Sequence, residues 1–295
     1  MYRTFIILRH TFWEAVLQPI YPLLIALATA VLMIFTLLPF FTFDEDTVMF
    51  KDNALDIILL AVLVATLFAT SKSIYEEIED RTMLTLMSKP LRKWEVLAGK
   101  YLGIVAASLL AVAVLGVILG LCLWWRIPAD YRMNARSLDD LELQRLAGLR
   151  WMHLAGLMPS LVLLWMQIAA LAAVGVALST RLSLVVNLPL VIIIYVAGNL
   201  TRFLFPVEGQ SLPVKVLAYA IGSVLPYLQI FDLKEAAVYR TVAVAQFAND
   251  PRAVSLAELW GYVAAAGAYA AVYVFFALCA GLWLFHNREL GGAEG

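Results

Sequence analysis

Long apolar runs separated by shorter polar stretches dominate this chain. Six of the runs predict membrane-spanning helices: Pro22–Phe43, Ala54–Ser71, Val96–Trp124, Leu154–Thr180, Leu182–Leu200 and Leu259–His286. About 20 residues rising ~1.5 Å each are enough to cross a hydrocarbon layer. The segment before them, Met1–Tyr21, has a different pattern. Phe5, Phe12, Val16 and Ile20 fall near one helical face, and Arg3, His10, Glu14 and Gln18 fall on another. That is the pattern of an amphipathic helix lying in the membrane interface.

The intervals between runs differ in kind. Arg126–His153 has a capping-box-like start at Ser137 and Asp140. Leu138, Leu141, Leu149 and Met152 follow at roughly helical spacing, which predicts an amphipathic helix along the outer face. Thr201–Glu258 contains a further apolar stretch, Lys215–Phe231, preceded by Pro213 and interrupted by Gly222 and Pro226. Broken helices are tolerated at membrane depth where they pack against protein. This region is therefore expected to hold short re-entrant helices and not a seventh crossing.

Composition agrees with a membrane protein: 63% of residues are hydrophobic and 15% are charged. The net charge of −1 gives no reason to expect a nucleic-acid partner. An even number of crossings puts both termini on one side. The segments on that side carry an excess of Lys and Arg over Asp and Glu, and the remaining segments the reverse, which predicts cytoplasmic termini. Cys122 and Cys279 sit inside apolar runs and read as small packing residues. No cleavable signal peptide is predicted, since Met1–Gln18 mixes charge with aromatics.

The chemistry the spans lack narrows the function. Their ionisable residues, Asp56, Lys72, Lys100, Arg181 and His286, fall at the ends of runs. Ion-coupled carriers need charges deeper in the membrane, where such groups are costly and mark function. Gln167, Asn187 and Asn199 are expected to form interhelical hydrogen bonds. The pairs Gly116/Gly120 and Gly99/Gly103 permit close helix packing, within one chain or between two. His10, His153 and His286 are far apart, so no metal site is predicted. Nucleophile elbows, zinc-protease motifs and phosphate-cradling Gly-rich loops are not found, so no catalytic residue is assigned.

The most specific segment follows the second run. Residues 76–103 read EEIEDRTMLTLMSKPLRKWEVLAGKYLG. Acids at Glu76, Glu77, Glu79 and Asp80 suit a helix N-terminus. Met83, Leu84, Leu86 and Met87 give the following helix an apolar side, and Pro90 ends it. Lys89, Arg92 and Lys93 lie at the break. By composition alone this is either a solvated hairpin or a docking element.

The order Glu77-Ile-Glu-Asp-Arg81-Thr82, then Leu86-Met-Ser-Lys-Pro90, Arg92 and Gly99-Lys100-Tyr-Leu-Gly103 resembles the permease subunits of ABC transporters of the ABC-2 type. Leu225-Pro226-Tyr-Leu-Gln-Ile-Phe231-Asp232 and the closing Leu284-Phe-His-Asn-Arg288 are similar to stretches of the same permeases. The resemblance implies an all-α integral membrane protein with one permease domain over residues 1–295. Its parts would be an interfacial helix at 1–21, six spans (22–43, 54–71, 96–124, 154–180, 182–200 and 259–286) and a cytoplasmic coupling helix at 76–90. Outer regions would occupy 126–153 and 201–258.

It further implies an exporter subunit in the inner (plasma) membrane, working as a homodimer or beside a second permease. A cytoplasmic ABC ATPase would bind ATP and Mg²⁺, with no cofactor in this chain. Glu77, Glu79, Arg81 and Thr82 would order the coupling helix or pair with the ATPase. Met83 and Leu86 would fill its groove, while Lys89 and Pro90 would set the return into the membrane. The substrate is not legible. An ATP-independent carrier or channel, or a membrane scaffold for a cytoplasmic complex, remains the alternative at this point.

Overall fold

The computed structural model describes residues 2–38, 46–80, 92–134, 140–204, 225–233 and 254–286. Within them the chain is helical, with no strand among the described residues. The helices are α1 (Tyr2–Leu17), α2 (Ile20–Leu37), α3 (Asp46–Thr70), α4 (Lys93–Asn134), α5 (Asp140–Ser179), α6 (Leu184–Leu204) and α7 (Leu256–His286). A π-helical turn, Ser71–Glu76, and a short α-helical turn, Glu77–Glu79, prolong α3.

Among the described residues, five helical stretches are long and apolar enough to cross a membrane: Ile20–Leu37, Met49–Glu79, Lys93–Ile127, Arg150–Ser179 and Leu256–His286. The fifth predicted span corresponds to α6, whose apolar part, Leu184–Leu200, is shorter. The chain is an all-α, multi-pass membrane protein.

α5 is the central helix and touches α3, α4, α6 and α7. Leu63 and Leu67 of α3, Leu115 and Leu119 of α4, and Leu163 and Leu171 of α5 are almost wholly buried between them. In lipid, tight packing and hydrogen bonds hold helices together, because the tails are as apolar as leucine. Gly116 makes room for Leu161, whose Cδ1 would stand 2.7 Å from an added Cβ. α2 and α7 are peripheral, and Leu27, Ile34, Phe275 and Trp283 face outward from them as lipid-facing residues would.

Several boundaries differ from those read in the sequence. α2 ends at Leu37, six residues before Phe43, and Leu38 is extended. The Arg126 guanidinium takes the carbonyls of Phe35, Thr36 and Leu38 at 3.0, 3.1 and 3.1 Å. It thereby satisfies acceptors that a helix end leaves open. α3 begins at Asp46 and not near Ala54. Its polar first turns are hard to read as helix from hydropathy, yet Phe50 is buried beneath Arg126, 5.1 Å from ring centre to guanidinium.

The outer interval also differs. No separate surface helix forms at 126–153 among the described residues, since α4 runs on to Asn134 and α5 starts at Asp140 and continues through Pro159. The two long helices are paired at Trp124, which meets Trp151 edge-on at 6.2 Å and carries Arg150 over its ring at 4.6 Å.

Of the outer region Thr201–Glu258, residues 201–204, 225–233 and 254–258 are described. Their 3₁₀ turn, Leu228–Phe231, buries Leu228 and Phe231 beside α5 and α6. Gly198 explains the close approach: an added Cβ would stand 2.6 Å from the Pro226 carbonyl. Gln229 Nε2 donates to the Asn199 carbonyl at 2.6 Å, and the Tyr262 hydroxyl donates to the Ile230 carbonyl at 2.8 Å.

Candidate functional site

The end of α3 leads directly into the segment singled out in the sequence. Its last regular residue, Thr70, turns its hydroxyl back to the Leu67 carbonyl at 2.8 Å. The next six residues, Ser-Lys-Ser-Ile-Tyr-Glu, widen into a π turn. A local cause is visible: Lys100 of α4 donates from Nζ to the Ser73 carbonyl and, at 3.1 Å, to the Ser73 hydroxyl. A side chain inserted into a helix's own hydrogen-bond ladder distorts it, and π turns of this kind recur at functional sites.

Lys100 is 3% exposed, and its ammonium also lies 2.7 Å from Glu77 Oε1. A buried cation is tolerable only when paired and hydrogen-bonded, and here both conditions hold. The second acid of the predicted coupling segment, Glu77, is therefore tied to the third predicted span. Ile78 is buried beside it, and Glu76, Glu79 and Asp80 are exposed.

A second tie comes from α6. Asn187 is fully buried, and its Nδ2 lies 2.7 Å from Ser179 Oγ, 3.2 Å from the Gly175 carbonyl and 3.3 Å from Ser71 Oγ. One amide thus joins the start of the π turn to the end of α5. Gly175 allows that proximity, since an added Cβ would lie 3.1 Å from Leu67 Cδ2.

The same end of the bundle gathers α7 and α1. Lys93 reaches the Phe285 and His286 carbonyls at 3.5 and 3.4 Å, and Arg181 Nε donates to the Leu284 carbonyl at 3.1 Å. Two cations at a helix C-terminus complement its dipole. α1 lies on α4 at Gly99 and Gly103, where an added Cβ would come within 2.9 Å of Ile7 and 2.7 Å of the Leu8 carbonyl. Those two glycines therefore pack within the chain.

The buried face of α1 is centred on Thr11 and Ala15. Helical spacing puts Phe5 on one face with Phe12, Val16 and Ile20. Phe12 and Val16 pack against the core, whereas Phe5 is exposed together with Tyr2, Ile6, Trp13 and Leu17. The α1 backbone approaches so closely that small residues, and not the aromatics, mark the contact.

Of the predicted coupling residues, Glu77 and Glu79 are described. Arg81, Thr82, Met83, Leu86, Lys89 and Pro90 lie outside the described residues. Glu76–Glu79 continue the α3 rod and do not open a separate helix, and the Asp80 N–H closes the last turn on the Glu76 carbonyl at 2.8 Å. The return into α4 is capped: the Arg92 N–H donates to Glu95 Oε2 at 3.0 Å, the reciprocal half of a capping box. No partner for Glu77 is evident from its sequence neighbours. The signal was present in Lys100, a lysine flanked by an apolar run and set next to Gly99.

Long paired helices with apolar flanks define a polytopic membrane protein. The sequence profile of ABC-2 family transporter proteins matches residues 24–290, and the chain belongs to that family. It is a membrane permease of the ABC transporter class. Among individually curated proteins, none matches the chain.

Proposed function

We propose that the chain couples ATP hydrolysis by a separate cytoplasmic ATPase subunit to substrate export across the plasma membrane. In this reading the sixth crossing is α6, both termini are cytoplasmic, and two permeases, identical or related, form the membrane unit. Residues 76–90 dock on the ATPase, with Arg81 and Thr82 pairing with it and Met83 and Leu86 filling its groove. Glu79, which is exposed, adds a charged contact, and Lys89 and Pro90 fix the exit angle.

The observation that carries this reading is the Glu77–Lys100 ion pair. It ties the root of the docking segment to α4 where α3 departs from α-helical geometry. A push on the segment would be passed to two long helices at once, in place of being absorbed by a loose loop. Gentle detergent extraction followed by mass spectrometry of co-purifying proteins tests the proposal. An ATPase with a phosphate-binding loop should accompany the chain and be lost from the Arg81→Glu/Leu86→Ala double variant. A chain that purifies alone under conditions that preserve other complexes contradicts it.

A further inference from the structure

A cationic feature lies at the end of the bundle opposite the Glu77–Lys100 junction. Between Lys93, at the junction, and Trp124 the α4 helix rises ~46 Å. A bilayer with its headgroup layers is about 40–45 Å thick, so a helix with Lys93 at one surface brings Trp124 to the headgroups of the other. The apolar stretch of α5 begins at Arg150, beside Trp124. Trp125 and Trp151 are exposed there, as aromatic rings at a membrane–water interface commonly are.

Arg150 is held in place, yet its donors are unspent. Its guanidinium lies over the Trp124 ring at 4.6 Å, and Trp151 braces the edge of the same ring. One turn further in, Gly120 keeps α4 close to Leu154 of α5. Stacking engages the face of a guanidinium and leaves the N–H donors on its rim. Among the described residues nothing accepts a hydrogen bond from Arg150 or pairs with its charge, and Nε is buried without a partner. The cation has thus lost part of its hydration with no replacement from the described residues, a cost that an anion at its terminal nitrogens would offset.

The surroundings select the anion. Trp125, Leu121, Val117 and Val114 form an exposed stripe along α4, leading from this level into the membrane. A headgroup-level guanidinium above an apolar track fits a phosphodiester that carries acyl chains. Two unesterified phosphate oxygens match the guanidinium fork. We propose that Arg150, stacked on Trp124, binds the phosphate of a phospholipid in the leaflet opposite the junction, with the acyl chains along α4. The bound lipid clamps the far ends of α4 and α5. The inference does not depend on ATPase coupling, because binding requires this chain and a lipid only.

The test is native mass spectrometry of the delipidated full chain in detergent, titrated with dioleoylphosphatidylglycerol or with dioleoylglycerol, which has the same chains and no phosphate. The first phosphatidylglycerol should bind at least about tenfold more tightly than dioleoylglycerol. Arg150→Gln should lose roughly that tenfold, and Arg150→Lys, which keeps the charge without the planar fork, should fall between. Millimolar inorganic phosphate should not displace the lipid. Circular dichroism confirms that the variants are folded, and the comparison of the two lipids on the wild-type chain needs no variant. Equal affinity for the two lipids, unchanged phosphatidylglycerol affinity in folded Arg150→Gln, or displacement by inorganic phosphate would overturn the proposal.

Discussion

Lys100 Nζ sits 2.7 Å from Glu77 Oε1, and the two side chains differ sharply in exposure, 3% against 22%. This difference sets the cost of breaking the pair from either side. In Glu77→Gln a buried ammonium loses its counter-charge, whereas in Lys100→Met a carboxylate already in reach of solvent can rehydrate. Removing one partner of a buried pair costs about 3–5 kcal/mol. Glu77→Gln should approach that range and Lys100→Met should fall clearly below it. Thermal unfolding of both variants in one detergent measures the order, and the reverse order would refute the assignment of Lys100 as the desolvated partner.

Gly103 and Gly261 make an internal comparison. A Cβ at Gly103 meets backbone on α1, the Leu8 carbonyl at 2.7 Å, while nothing lies within 4 Å of one at Gly261. Gly103→Ala should therefore displace α1 and destabilise by about 1–3 kcal/mol. Gly261→Ala, in the first turns of α7, should be neutral or stabilise by up to ~1 kcal/mol. Limited proteolysis ahead of α2 reads the displacement directly: faster cleavage is expected in Gly103→Ala only.

Arg126 satisfies three carbonyls at the end of α2. Arg126→Met keeps an apolar stem and removes the donors. The last turn of α2 should fray, seen as faster amide exchange at Phe35–Leu38 with Leu24–Leu32 unchanged. Equal protection along the whole helix would show that the guanidinium does not hold this end.

Arg81→Glu and Pro90→Ala alter the proposed docking segment and leave the Glu77–Lys100 pair itself unsubstituted. Each should lower ATPase stimulation and transport at least about tenfold, the loss of one interface anchor, while the chain stays at normal level in the membrane. Normal transport in both variants would place the docking surface elsewhere.

The spans were legible because apolar length is a direct requirement of the bilayer. Their ends were less so. Hydropathy stops at Ala54, yet α3 extends back to Asp46 because Arg126 covers Phe50. The outer interval read as a separate amphipathic helix because its leucines recur at helical spacing, but the same spacing serves a helix that simply continues through to Ser179. At the junction, Glu77 stood out from its position in the acidic run. Its dependence on Lys100 did not, since the two are joined through a π turn that no local residue pattern announces. The amide of Asn187 was expected to bridge helices, and it does so, onto Ser71 and Gly175.

The most direct test of the account is the ATP hydrolysis rate of the chain reconstituted with its ATPase, comparing wild type, Glu77→Gln and Gly261→Ala after gel filtration confirms equal assembly. The account expects the Glu77→Gln complex to hydrolyse ATP at the rate of the ATPase alone, with Gly261→Ala matching wild type. An assembled Glu77→Gln complex that is stimulated as strongly as wild type would contradict the claim that the Glu77–Lys100 pair transmits motion between the docking segment and the membrane helices.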